Sequence, residues 1–313
     1  MGRGIAVVFA YAGHDVTILD LKPRSKEAFA QLQDEALSEV ASTLHTLAGF
    51  GLFDKAHVNR IAARVRIVPE AGMMNALAAS NVVFEGIPEV LEMKRELFAR
   101  VSPHIPADSI IASTTSTILV DDLSSSVTHP QRFLNAHWLN PAFLVPLVEV
   151  SPGAKTSADV TARLRELLER IGKIPVICAA SPGYIVPRIQ GLAMNEAARM
   201  VEEGVASAAD IDKALKYGFG LRFSVLGVLE FIDWGGGDIL YYTSRYLANA
   251  LKSDRFAPAG IIEHNMREGR IGLKTGRGFL DYEGLDLDAY RNERLRAFSD
   301  RLNSLGLSRP PAL

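Results

Sequence analysis

The chain has 313 residues, enough for two domains with full cores. Its 34 Lys and Arg against 36 Asp and Glu leave a net charge of -2, which argues against a chain-wide surface for nucleic acid or anionic membrane. The single cysteine, Cys178, excludes an intramolecular disulfide and a thiolate zinc cluster and fits a reducing cytoplasm, and no apolar run approaches the ~20 residues of a membrane helix.

In chain order, two periodicities alternate. Residues 5–11 read as a helix and 15–20 as a short strand. Phe29, Leu32, Ala36, Val40, Leu44 and Leu47 recur every three or four positions and give one helix an apolar face, ended by Gly49 and Gly51. Residues 65–68, 81–85 and 109–113 are candidate strands, with a charged helix at 89–101 before the last of them. Strands at 147–150 and 176–178 flank a helix at 158–171. This alternation predicts a mostly parallel, doubly wound α/β sheet. After Ser181-Pro182-Gly183 the strand signal fades. Residues 185–203, 208–217, 225–249 and 259–267 carry helical spacing, and 285–307 read as a charged helical tail. The expected division is an α/β domain over 1–180 and an all-α domain over 181–313.

Gly2-Arg3-Gly4 opens the first helix, and the strand behind it ends in Asp20, eighteen residues after Gly2. In a dinucleotide-binding unit the third fingerprint glycine permits close helix–sheet packing, and an acidic residue about 20 positions on bonds the ribose. The preceding strand and the two glycines of the pyrophosphate turn are not in the sequence. The same residues also describe a glycine-rich N-terminus ahead of an ordinary helix. On the dinucleotide reading the sheet lacks its first strand, and an in-frame strand ending in Gly-x-Gly is expected upstream of Met1.

The middle of the chain is more specific. His137-Trp138-Leu139-Asn140-Pro141 is followed, twelve residues after the histidine, by Glu149 within Pro146-Leu147-Val148-Glu149-Val150, and Ser116 precedes His137 by twenty-one residues. Taken alone, His137 reads as a core histidine. An unpaired Glu149 in so apolar a run is costly, so a partner is expected. Together these residues resemble the 3-hydroxyacyl-CoA dehydrogenase family, whose pattern is a Ser, then H-x-x-N-P, then L-V-E-V. The likeness extends from Gly2 to about Tyr282, and it is shared with the branch that holds lambda-crystallin, gulonate dehydrogenase and carnitine dehydrogenase.

The resemblance implies a Rossmann-type sheet with NAD as cofactor and a helical domain that binds substrate and pairs in a homodimer. It implies oxidation of an L-3-hydroxyacyl-CoA, with a short substrate such as 3-hydroxybutyryl-CoA. Such a reaction needs a base for the hydroxyl proton and a hydride acceptor, and a histidine oriented by a carboxylate suits the first task. By resemblance His137 is that base and Glu149 its orienting partner. Ser116 meets substrate oxygen or the nicotinamide, and Gly2, Asp20, Glu89, Lys94, Asn140 and Lys274 lie on the cofactor side. Asp20 favours NAD over NADP, with Lys22 and Arg24 close behind it. Glu89 and Lys94 also fit a solvated helix face.

Two departures from the family stand out. The family's P-G-F-I-V-N-R is here Pro182-Gly183-Tyr184-Ile185-Val186-Pro187-Arg188, so Pro187 replaces an Asn taken to contact substrate. Gly227-Val228 stands where many relatives have Gly-Pro. Nearby Glu230, Asp233 and Trp234, with Gly235-Gly236-Gly237, fit helix packing with a kink better than a substrate-lining role. Cys178 is expected as a buried, inert thiol, and the remaining histidines lack partners at metal spacing. Two alternatives stay open: a dehydrogenase of a free 3-hydroxy acid such as gulonate or carnitine, and a non-catalytic, crystallin-like protein on the same scaffold.

Overall fold

A computed structural model describes residues 1–312. Its first part runs α1 (Gly2–Tyr11), β1 (Val16–Asp20), α2 (Lys26–Gly49), α3 (Val58–Ala62), β2 (Val65–Pro69), α4 (Met73–Ala78), β3 (Val82–Glu85), α5 (Leu91–Val101), β4 (Ile110–Ser113), α6 (Val120–Ser124), β5 (Phe133–Trp138), β6 (Leu147–Pro152), α7 (Ala158–Arg170) and β7 (Ile174–Ile177). Strands β3 to β7 form one sheet in sequence order, and β1 and β2 pair separately. All neighbours are parallel except β5 and β6, which run antiparallel.

Helices cover both faces of the five-stranded sheet, as in a Rossmann-type fold. On one face Val160, Leu164 and Leu168, four residues apart along α7, pack on Leu134, Ala136, Val148 and Val150. On the other, Phe98 and Val101 of α5 and Val120 and Leu123 of α6 pack on Ile111 and Phe133. Helix α1 is apolar nearly all round because it is buried from two sides. Its Ile5, Val8 and Phe9 join the five-stranded sheet, while Ala6, Val7 and Ala10 meet Val40, Leu44 and Leu47 of α2 and Val65 of β2. Gly4 permits this closeness, since a Cβ there would stand 3.3 Å from that of Ala142.

Strand β5 is absent from the sequence reading. Its Phe-Leu-Asn-Ala-His-Trp interleaves polar Asn135 and His137, which a half-buried period of two would send to solvent; here all six residues are buried. The His137 ring and the amide N–H groups of Asn135 find their partners on other elements.

The rest is helical: α8 (Val186–Glu202), α9 (Ala208–Ala214), α10 (Leu221–Phe223), α11 (Val228–Gly235), α12 (Gly237–Ala250), α13 (Gly260–Arg267) and α14 (Leu287–Ser304). The helix expected over 208–217 gives way at Leu215 to a π-helical turn, Leu215–Gly220. The one expected over 225–249 is two helices, separated at Gly236, whose φ of 106° lies in the left-handed half of the map. Two compact units result, Met1–Met194 and Asn195–Leu313. No helix among the described residues is long and apolar enough to cross a membrane.

Candidate active site

Antiparallel pairing of β5 and β6 sets His137 directly opposite Glu149. The imidazole Nδ1 lies 2.8 Å from Glu149 Oε2. His137 is 6% exposed and Glu149 fully buried, so the pair is shielded from water. The other carboxylate oxygen, Oε1, accepts N–H bonds from Ile185 at 2.9 Å and Val186 at 2.8 Å. These donors belong to the entry of α8, where a helix start leaves N–H groups unpaired and attracts negative charge. Glu149 thus has the partner its apolar surroundings demanded, and two more besides. With Nδ1–H donated to the carboxylate, the imidazole presents its Nε2 lone pair away from Glu149. Pro187 is the second residue of α8, where a missing N–H breaks no intrahelical bond.

Tyr184 lies over the His137 ring, centroids 5.3 Å apart and planes 14° from parallel. Its backbone φ of 45° is left-handed, which turns the side chain back onto β5 after Gly183. The hydroxyl donates to the Thr115 carbonyl at 3.1 Å and accepts from Asn135 Nδ2 at 2.9 Å. Burial pushes its pKa well up, so it stays a donor. Nothing in the sequence reading singled out Tyr184 or Asn135. The available signals were an aromatic hydroxyl directly after a glycine and a polar residue two positions before His137, on the same strand face.

The hydroxyl-rich segment after β4 is held by Glu89. Its Oε1 accepts from the N–H groups of Ser116 at 3.0 Å and Thr117 at 3.1 Å, from the Thr117 hydroxyl at 3.0 Å, and from the Thr115 hydroxyl. Lys94 is 1% exposed, with its ammonium 2.7 Å from Glu85 and 3.5 Å from Glu89. Glu85 also accepts from Ser113 Oγ at 2.6 Å and the Ile87 N–H at 2.7 Å. The solvated helix face is therefore ruled out: Glu89 precedes α5, and Lys94 points inward to the strand ends. Burial opposes ionisation of Glu89, but its hydroxyl and N–H donors and the Lys94 charge outweigh it and lower its pKa.

At the start of α1 no side chain caps the free N–H groups and no acid occupies the first turn. Gly2 and Gly86 keep this end bare; a Cβ on Gly86 would stand 3.8 Å from the Gly2 nitrogen. Such a helix start suits a phosphate. Asp20 closes β1 with a carboxylate fit for ribose hydroxyls, one oxygen 2.5 Å from Arg24 Nε. These residues fit a dinucleotide. Asn140 lies exposed, two residues past β5. Lys274 belongs to the helical unit, where its ammonium is 3.3 Å from Asp238.

The Lys-Thr-Gly-Arg-Gly-Phe turn around Lys274 is built on Asp233. That residue is 1% exposed and accepts from the N–H groups of Phe279 at 2.9 Å and Leu280 at 2.8 Å and from the Tyr282 hydroxyl at 3.2 Å. The acidic stretch on α11 is thus a packing element. Cys178 sits just past β7 and is half-buried, rather than buried within a strand; burial and the neighbouring Glu149 charge raise its pKa.

Residues 1–181 match the 3-hydroxyacyl-CoA dehydrogenase NAD binding domain, and residues 183–282 match the C-terminal domain of the same family. The chain is 30% identical over 297 residues to the 5-formyl-3-hydroxy-2-methylpyridine 4-carboxylate 5-dehydrogenase of Mesorhizobium japonicum, covering 95% of this chain and 92% of that one. It is 31% identical to the 3-hydroxybutyryl-CoA dehydrogenase of Bradyrhizobium diazoefficiens, over 91% and 92% of the two chains. Among solved structures, the 3-hydroxyacyl-CoA dehydrogenase of Archaeoglobus fulgidus superposes with a TM-score of 0.75 at 28% identity, over 98% of this chain and 96% of that one. The chain belongs to the 3-hydroxyacyl-CoA dehydrogenase family, and its cofactor is NAD.

Proposed function

We propose that this protein oxidises the 3-hydroxyl of a short L-3-hydroxyacyl-CoA, such as 3-hydroxybutyryl-CoA, to the 3-oxo thioester. The observation that carries this reading is the buried His137–Glu149 pair, with Nδ1 pinned at 2.8 Å and Nε2 left as a base. His137 takes the hydroxyl proton at Nε2. Glu149 holds the ring in that tautomer and stabilises the imidazolium that forms. NAD, when bound, accepts the hydride. Ser116 steadies the substrate oxygen or nicotinamide end, and Glu89 and Lys94 hold the segment that carries it. Gly2 and Asp20 take the phosphate and ribose, and Asn140 and Lys274 complete the cofactor side. In this reading residues 1–180 bind NAD, and residues 181–313 bind substrate and dimerise in the cytoplasm.

A second reading has a free hydroxy acid as substrate. Pro187 favours it, because it offers neither a side-chain donor nor an N–H where the family has Asn. The Mesorhizobium japonicum relative, named for a pyridine carboxylate, also supports it. A turnover panel decides: 3-hydroxybutyryl-CoA against free 3-hydroxybutyrate, gulonate, carnitine and the pyridine carboxylate, each with NAD. The first reading expects the thioester to give the highest kcat/KM. A free acid ahead of it by tenfold or more (about 1.4 kcal/mol in the barrier) reverses the assignment, and no turnover at all leaves the non-catalytic alternative.

A further inference from the structure

We propose that Tyr184 is a positioning residue that fixes the spacing between His137 and the Ser116 segment. This inference rests on the dehydrogenase reading above for its kinetic consequence, but not for its structural one.

Three independent contacts converge on this side chain. Its ring covers one face of the imidazole, leaving Glu149 to hold the ring edge. Its hydroxyl donates to the Thr115 carbonyl, one residue before Ser116. The same hydroxyl accepts from Asn135, which shares a strand face with His137 and whose amide also donates to the Ile118 carbonyl at 2.9 Å. Asn135 and Tyr184 therefore grip the 115–118 segment at both ends, while Glu89 holds its middle N–H groups from the opposite side. The left-handed backbone at Tyr184 is a strained conformation for a residue with a Cβ, and these contacts hold it there. An aromatic ring alone would satisfy the stacking. Only the hydroxyl ties the ring to the segment that bears Ser116.

Geometry of this kind matters because the hydride leaves the carbinol carbon and the proton leaves its hydroxyl oxygen in a single alignment, and small displacements of a reacting group cost large factors in rate. Removing the hydroxyl strands the Thr115 carbonyl and one Asn135 N–H in buried surroundings, so the segment relaxes away from β5.

The test is Tyr184→Phe in the full chain, read in two ways. Hydrogen exchange followed by mass spectrometry is expected to show several-fold faster exchange confined to peptides covering 114–118, with the strands and α7 unchanged. Steady-state oxidation of 3-hydroxybutyryl-CoA by NAD is expected to show kcat down about tenfold with KM within about twofold. Tyr184→Leu, which also loses the stacking, is expected to lower kcat further. Wild-type exchange at 114–118 overturns the inference, as does faster exchange spread over the whole sheet, which marks a merely structural residue. A kcat equal to wild type also overturns it. If the wild type fails to turn over this thioester, the substrate reading falls, and the exchange measurement still decides the role of Tyr184.

Discussion

His137 and Glu149 form a cross-strand pair whose two side chains depend on each other. The imidazole gains a fixed tautomer, and the carboxylate gains one of three donors. Glu149→Gln keeps the shape but presents an amide N–H to donors that need an acceptor. This variant is expected to lose at least about 10²-fold in kcat, and His137→Gln about 10²–10⁴-fold, both in steady-state assays. Wild-type turnover in either refutes the proposed base. Glu89 makes a pH prediction of definite sign. Its folded pKa lies below the ordinary 4.5, so its contribution to stability is full above that value and is lost as pH falls through the folded one. Denaturant unfolding of wild type and Glu89→Gln across this range is expected to show a stability gap that closes toward acid. A gap independent of pH would contradict it.

Among the elements, the glycine-rich turn over 272–279 shows how a motif acquires meaning only from what it packs on. Gly278 is buried, and a Cβ there would fall 2.0 Å from Asp233 Oδ1, which already accepts from the Phe279 N–H while Oδ2 accepts from Leu280 and Tyr282. Gly272 has a φ of 104°, and its Cβ would strike the Asp233 carbonyl at 2.2 Å. Gly278→Ala is therefore expected to destabilise the fold by about 1–3 kcal/mol in denaturant titrations. A value near zero would mean that Asp233 moves freely. Helix α1 makes the complementary point: its even apolar coating, odd for a surface helix, follows from having a sheet on one side and α2 on the other.

For the whole molecule, the helical unit exposes an apolar stripe along α12. Ile239, Tyr242 and Tyr246 are 56%, 63% and 70% exposed, and their i, i+3, i+7 spacing puts them on one face. This stripe supports the proposed homodimer. Sedimentation is expected to give a dimer for the wild type and a monomer for a Tyr242→Asp, Tyr246→Asp double variant. A monomeric wild type refutes it. The substitutions lie at exposed positions, so unfolding is not the expected outcome.

Much of this was legible from residues alone. The alternation of strands and helices predicted the α/β class, and the spacing of Ser116, His137, Asn140 and Glu149 marked the family. His137 and Glu149 lie only twelve residues apart on neighbouring strands, so their local spacing carried the signal. Tyr184 reaches Asn135 across forty-nine residues and Thr115 across sixty-nine, and no periodicity encodes such a contact. For Lys94 a solvated helix face stayed open beside the cofactor side, because helical spacing reports which residues share a face, not what that face meets. Residue types and their spacing are enough to give the class of fold, the family and the chemical groups at the site. Which buried polar groups satisfy one another follows from the folded chain alone, because it depends on where distant strand ends, a left-handed turn and a helix start come together, and a buried polar group left without a partner is costly.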